Sequence, residues 1–130
     1  MGAPKKNDFW KMRSKHGRDK IFTSPKILLD ACNEYFQWCI DNPLMEMIIQ
    51  SGKEFLVPKM RAFTLKGLCI FLDIETKTFE LYHNDYKDFI PITTRVKEII
   101  YTQKFEGAAA GFLNQNIIAR DLGLKDSADI

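Results

Sequence analysis

The chain has 130 residues, of which 45% are hydrophobic and 28% are charged. This composition is typical of one soluble globular domain and excludes a disordered or fibrous chain. No run approaches the roughly 20 apolar residues of a membrane span, and no apolar signal-peptide segment follows the basic N-terminus, so we expect a cytoplasmic protein.

Residues 1–23 lack helical periodicity and predict an extended arm. The formal charge of the chain is +2, but residues 1–20 alone carry +5, which leaves the remainder at −3. A positive segment beside an acidic body is typical of proteins that bind phosphates or an acidic partner. The alternative is a solvated tail that only aids solubility. The basic side chains of the arm are Lys5, Lys6, Lys11, Arg13, Lys15, Arg18 and Lys20.

The first predicted helix begins after Ser24, with Pro25 at its first position, and runs to about Asp41, before Asn42-Pro43. Serine as N-cap followed by proline is a typical helix start. Apolar residues at helical spacing predict one buried face, and the cysteines in it are expected to be buried, reduced thiols. That face comprises Leu28, Cys32, Tyr35, Phe36 and Cys39.

A short β-hairpin is predicted next, with strands at 45–50 and 53–58 joined by Ser51-Gly52. A two-residue turn would pair Ile48 with Phe55 and Met47 with Leu56, which makes both faces apolar. Because an isolated hairpin is marginally stable in water, we expect helices or another subunit to cover it.

Residues 64–84 have helix-turn-helix spacing. Thr64 caps a helix that runs through Leu72, a turn follows at residues 73–75, and a second helix runs from 76 to about 84. Asp73 occupies the turn position that usually holds glycine, and Glu75 the capping position that usually holds serine. The second helix would present these side chains to a major groove: Thr76, Lys77, Glu80, His83 and Asn84.

The charge of this segment weakens its interpretation as a DNA reader. Residues 75–88 hold four acidic side chains against Lys77 and Lys87, a net charge of −2, which opposes the approach of phosphates. The alternative is that these helices form only a core or a subunit interface. Lys77 and His83 remain candidate DNA contacts.

The last third predicts two helices. The first begins near Pro91 with Thr93 or Thr94 as its cap, and Gly107 interrupts it; the second spans 108–122 and ends at Gly123. Small residues at 108–111 would suit a close helix crossing within or between subunits.

The sequence predicts neither a catalytic nor a metal site. Its two histidines, His16 and His83, have no cysteine or carboxylate placed to share a metal, and Cys69 is isolated. It lacks a phosphate-binding glycine loop, a nucleophile beside a base, and an acidic cluster suited to a two-metal nuclease. We therefore expect a protein without enzymatic activity or cofactor.

The chain closely resembles the small terminase (DNA-packaging) subunits of short-tailed temperate phages of enteric bacteria. The resemblance covers residues 2–126, and "NIIARDLGLKD" near the C-terminus is its most specific part. The other matching stretches are "FWKMRSKHGR", "FTSPKILLDACNEYFQW", "NPLMEM", "PKMRAFTLKGLCIFLDI" and the remainder of residues 96–126.

The resemblance implies a non-enzymatic protein that assembles as a closed, nonameric ring. Such proteins bind the packaging-initiation site of concatemeric double-stranded phage DNA and recruit or regulate the large terminase subunit, an ATPase and nuclease. The chain would then act in the host cytoplasm and be absent from the mature virion. Relatives continue into a basic tail, whereas this sequence stops at Ile130, so the family's tail contacts are not carried over. Either a basic tail is missing from this sequence, or DNA contact falls to the N-terminal arm and the ring surface.

The expected organisation is a basic arm at 1–23, a helical core and oligomerisation domain at 24–126 that contains the hairpin at 45–58, and a C-terminal remnant at 127–130. The expected fold class is mainly α, with the helix-turn-helix-like segment and one hairpin, assembling as a ring. Two alternatives remain: a dimeric helix-turn-helix transcriptional regulator, and a structural adaptor that binds the large subunit without DNA.

Overall fold

The computed structural model describes residues 22–124. Within that range the chain forms five α-helices and one two-stranded antiparallel hairpin, so the expected mainly α fold is confirmed. The seven basic residues of the predicted arm, and the segment 125–130, lie outside the described residues. The elements are α1 (Pro25–Asp41), β1 (Leu44–Gln50), β2 (Lys53–Lys59), α2 (Leu65–Leu72), α3 (Thr76–Asp85), α4 (Ile90–Ala109) and α5 (Gln115–Leu122).

Helix α1 has the predicted boundaries because both ends are capped locally. The Ser24 hydroxyl accepts a hydrogen bond from the Ile27 N–H at 3.2 Å, and the Asn42 side chain donates to the Trp38 carbonyl at 2.9 Å. All five residues of the predicted face are buried, and so is Trp38. The three cysteines of the chain are free and buried, which confirms the prediction made for Cys32 and Cys39.

The core lies where α1 packs against α2 and α4. Its centre is aromatic: the rings of Phe36 and Phe63 stack at 4.6 Å, and Tyr35 contacts Phe63 at 6.1 Å and Phe71 at 5.5 Å. Aromatic pairs at such separations stabilise a core beyond the area that they bury. The Tyr35 hydroxyl also accepts a hydrogen bond from the Thr64 N–H at 3.2 Å, which ties α1 to the start of α2.

The predicted pairing of the hairpin is confirmed, with Ile48 opposite Phe55 and Met47 opposite Leu56. Its turn residues Ser51 and Gly52 both have positive φ, of 55° and 76°, as in the type I′ turns that match strand twist. The expected cover from the chain's own helices is not found within the described residues, since most hairpin side chains are exposed.

Three predictions for the last third were wrong: the cap of α4, the break at Gly107, and the start of the last helix at 108, since α5 begins at Gln115. Helix α4 begins at Ile90 after a 3-10 turn at Lys87–Phe89, so Thr93 lies inside the helix, fully buried, rather than capping it. Gly107 does not interrupt α4, which continues to Ala109.

Gly107 allows side chains from other parts of the chain to pack directly against the backbone of α4. A Cβ atom there would lie 2.7 Å from Leu113 Cδ1 and 2.9 Å from Met60 Cε. The chain turns only at 110–114, and α5 begins at Gln115 with the Asn114 side chain as its N-cap. The predicted end of α5 at Gly123, with φ 74°, is confirmed.

Candidate nucleic-acid interface

The segment with helix-turn-helix spacing folds as two short helices with the predicted boundaries. Thr64 caps α2 by accepting the Gly67 N–H at 2.9 Å. Asp73 ends α2 in the left-handed conformation, with φ 63° and ψ 43°, and the following Ile74 N–H donates to the Cys69 carbonyl at 3.0 Å. This is the hydrogen-bond pattern of a Schellman C-cap.

The N-terminus of α3 is less well capped than that of α2. Glu75 is its N-cap residue but makes no side-chain capping hydrogen bond. The helix is therefore held by burial of Phe79 and Tyr82 and by polar contacts with α4.

Two of the side chains predicted to face a DNA groove form polar contacts with α4 instead. The Glu80 carboxylate accepts from the Lys97 ammonium at 3.0 Å, with both side chains about one-third exposed. The Nδ1 atom of His83 and the hydroxyl of Thr93 are hydrogen-bonded at 2.8 Å. These contacts depend on the crossing of α3 and α4, which no local sequence pattern reveals.

The exposed side of α3 is nearly neutral. Lys77 in its first turn and Asn84 near its end are exposed, as expected for groove contacts. They share that side with Leu81 and Asp85, so one cation is balanced by one carboxylate. By itself this surface offers little attraction to phosphates.

Phe22 joins the predicted arm to the body at α3. The Phe22 N–H donates to the Tyr82 hydroxyl at 3.3 Å, and their rings meet edge to face at 6.1 Å. Tyr82 also packs on Tyr86 at 5.3 Å and Phe89 at 4.7 Å. The sequence analysis missed this contact, because no local pattern around residue 22 indicates a partner 60 residues further along the chain. Residue 22 therefore lies against the C-terminal half of α3.

The body of the protein is acidic where the arm is basic. Residues 22–124 hold eleven Lys and Arg side chains against thirteen Asp and Glu, a net charge of −2. Several of the cations are paired with carboxylates: Lys26 with Asp30, Lys59 with Glu46, Lys97 with Glu80 and Lys104 with Asp121. Among the described residues, no group of His, Cys, Asp or Glu side chains is arranged to hold a metal ion, and no helix is long and apolar enough for a bilayer span.

Comparison with known proteins identifies the family. Residues 17–130 match the family model of the DNA-packaging protein gp3. The chain is also 48% identical over 134 residues to the terminase small subunit of Salmonella phage P22, an alignment that covers all of this chain and 82% of the relative.

The chain belongs to the gp3 DNA-packaging family. The resemblance inferred from its sequence motifs is thereby confirmed. A gp3-family small terminase subunit is a DNA-packaging component and not the ATPase or nuclease of packaging.

Proposed function

We propose that this gp3-family protein binds the packaging-initiation site of concatemeric phage DNA and recruits or regulates the large terminase subunit. It does so as a closed homo-oligomeric ring, with nine subunits expected. The observation that carries the proposal is the charge division: +5 on residues 1–20 beside −2 on residues 22–124, in a member of a DNA-packaging family.

The arm supplies most of the phosphate contacts in this proposal. Its seven cations lie between residues 5 and 20. Phe22, two residues after the last of them, contacts Tyr82 of α3, and this supports an arm that starts beside that helix. Lys77, exposed in the first turn of the same helix, adds one cation, and His83 is the other α3 candidate. Helix α3 has too little positive charge to bind DNA strongly without the arm.

Assembly into a ring would let arms that each bind DNA weakly bind it strongly together. Each copy presents one arm, and contacts that are weak singly become strong when they are linked, because later contacts form at high effective concentration. The exposed apolar side chains of the hairpin are consistent with burial against another subunit.

The DNA-binding role is tested by replacing Lys11, Arg13 and Lys15 with alanine. We expect this triple variant to keep the wild-type native mass but to bind duplex phage DNA several-fold more weakly at low salt, with a shallower dependence of affinity on salt. The matched control removes three exposed cations of the body, at positions 53, 66 and 87, and should weaken binding less.

Equal binding by the wild type and the arm variant would contradict the role of the arm. No salt-dependent gel shift by the wild type would instead support the adaptor without DNA. A stable dimer in native mass spectrometry would support the transcriptional regulator. Recruitment of the large subunit is tested by co-elution of the two purified proteins, and separate elution would contradict that part of the proposal.

A further inference from the structure

Lys104 is the one buried charged side chain among residues 22–124. It lies in the interior of α4, and its side chain is 9% exposed. Its ammonium lies 2.5 Å from the carboxylate of Asp121 on α5, which is 48% exposed. Because a buried ammonium is costly unless an opposite charge compensates it, Lys104 depends on Asp121. Asp121 depends less on Lys104, since water can reach its carboxylate.

Few other contacts attach α5 to the rest of the described chain. The helix has eight residues, of which Ile118 alone is buried, and its main neighbour is α4. The Gln115 side chain donates one hydrogen bond to the Ala108 carbonyl, at 3.0 Å. No residue of α5 belongs to the described core that α1–α4 form. A helix of this length is only marginally stable in water when isolated, so α5 should unfold once it leaves α4.

The turn before α5 is held on α4 by contacts of its own. The N–H groups of Phe112 and Leu113 both donate to the Gly107 carbonyl, at 2.8 and 3.0 Å. The Leu113 side chain also packs against Gly107. The turn can therefore stay in place when α5 leaves α4, and the boundary between the two segments falls at Asn114.

We infer that α5 opens from α4 as a separate unit, and that the Asp121 carboxylate keeps it closed by compensating the buried charge of Lys104. Opening breaks the ion pair, the packing of Ile118 and the Gln115 hydrogen bond, while the core of α1–α4 stays intact. It also brings the Lys104 ammonium into solvent, so the same movement converts a buried cation into an exposed one. The inference depends on neither the proposed ring nor DNA binding.

Asp121→Ala tests the inference by hydrogen exchange with mass spectrometry. Both local effects of this substitution favour the helix, because alanine has a higher helix propensity than aspartate and a negative charge near a helix C-terminus is unfavourable. Only the loss of charge compensation opposes it. We expect the amides of 118–122 to exchange about tenfold faster or more than in the wild type, while the amides of α1–α3 keep their wild-type rates.

A second substitution separates the buried charge from the packing around it. Methionine has a long, flexible side chain like that of lysine but no charge, so Lys104→Met removes the need for compensation. The double variant with Lys104→Met and Asp121→Ala should therefore exchange at the wild-type rate in 118–122. The matched control is Glu106→Ala, which removes an exposed carboxylate from the same helix as Lys104 and should change no rate in α5.

Limited trypsin digestion gives an independent measurement. Cleavage after Arg120 lies within α5 and requires this helix to unfold locally. The comparison is between Asp121→Ala and the double variant, because both have alanine after Arg120. We expect the single variant to be cut there faster than the double variant, with the cleavage site located by mass spectrometry.

Three results would overturn the inference. Equal exchange of 118–122 in the wild type and in Asp121→Ala would show that the carboxylate does not keep α5 closed. Faster exchange throughout α1–α5 would mean that the whole domain unfolds and that α5 is not a separate unit. A double variant that exchanges as fast as Asp121→Ala would show that the buried charge of Lys104 does not drive the opening.

Discussion

The side-chain amide of Gln103 on α4 holds the backbone at Phe63, immediately before α2. Its Oε1 atom accepts from the Phe63 N–H at 3.0 Å, and its Nε2 atom donates to the Arg61 carbonyl at 3.1 Å. The chain returning from β2 is thereby attached to α4, and the guanidinium of Arg61 lies 4.7 Å from the centroid of the Trp38 ring. Gln103 thus ties the segment between β2 and α2 to the helical core.

Gln103→Ala is expected to destabilise the fold by about 1–3 kcal/mol, because a buried N–H and a partly buried carbonyl lose their partners. Urea unfolding followed by circular dichroism measures the change. The control is Thr102→Ala, an exposed neighbour on the same helix, which should change stability by less than about 0.5 kcal/mol. Equal effects of the two substitutions would remove the structural role assigned to Gln103.

Asp73→Gly is expected to stabilise the protein by roughly 0.5–1 kcal/mol, because a residue with a Cβ is strained in the left-handed conformation that Asp73 adopts. The substitution also removes a negative charge from the C-terminal end of α2, where the helix dipole disfavours it. The shift in urea midpoint at constant m-value reports the gain.

The same change at Asp30, in the interior of α1, is the control for position 73. It should destabilise by roughly 0.5 kcal/mol, because glycine is somewhat less favourable than aspartate in a right-handed helix and the exposed ion pair between Lys26 and Asp30 is lost. A loss of stability at both positions would show that the left-handed strain at Asp73 is too small to matter.

Stability is expected to fall above about pH 9 because of the buried thiols. Burial raises the pKa of Cys32 from 9.0 to about 12 and that of Cys69 to about 11. The unfolded chain therefore loses these protons first as the pH rises. The contribution of the protonated thiols to the free energy of unfolding is fully present below pH 9 and is lost between pH 9 and about 12. Between its unfolded and folded pKa values, each thiol lowers the free energy of unfolding by on the order of 1.4 kcal/mol per pH unit.

Urea titrations at pH 7.5 and 10.5 measure this loss. Cys69→Ala removes one titrating group and should flatten the decline, even if it lowers stability at neutral pH by leaving a small cavity. An identical decline in the variant and the wild type would assign the alkaline sensitivity to other groups.

Elements with local signals were predictable from the sequence, and contacts between elements were not. Ser24-Pro25 and Asn42-Pro43 bound α1 because capping and proline sterics act within a few residues. The hairpin register followed from the two-residue turn at Ser51-Gly52.

Gly107 shows where such reasoning failed. Glycine in a helical pattern suggests a break, but here the absence of a Cβ accommodates Leu113 and Met60 inside a continuous helix. The candidate site was likewise predicted only in part. The spacing of 64–84 located both helices, yet only the packing of α3 on α4 decides that Glu80 and His83 contact Lys97 and Thr93.

Lys77 and His83, both proposed DNA contacts on α3, should respond differently to alanine. Lys77 is exposed, so Lys77→Ala should leave stability within about 0.5 kcal/mol of the wild type and reduce the salt dependence of DNA binding by about one phosphate contact per engaged subunit. His83→Ala breaks the hydrogen bond to the buried Thr93 and should destabilise the protein by about 1 kcal/mol. Urea unfolding and salt-titrated gel shifts, performed on the same preparations, compare the two. A His83→Ala variant that weakens DNA binding as much as Lys77→Ala, with unchanged stability, would mean that the imidazole contacts DNA rather than fixing α3 to α4.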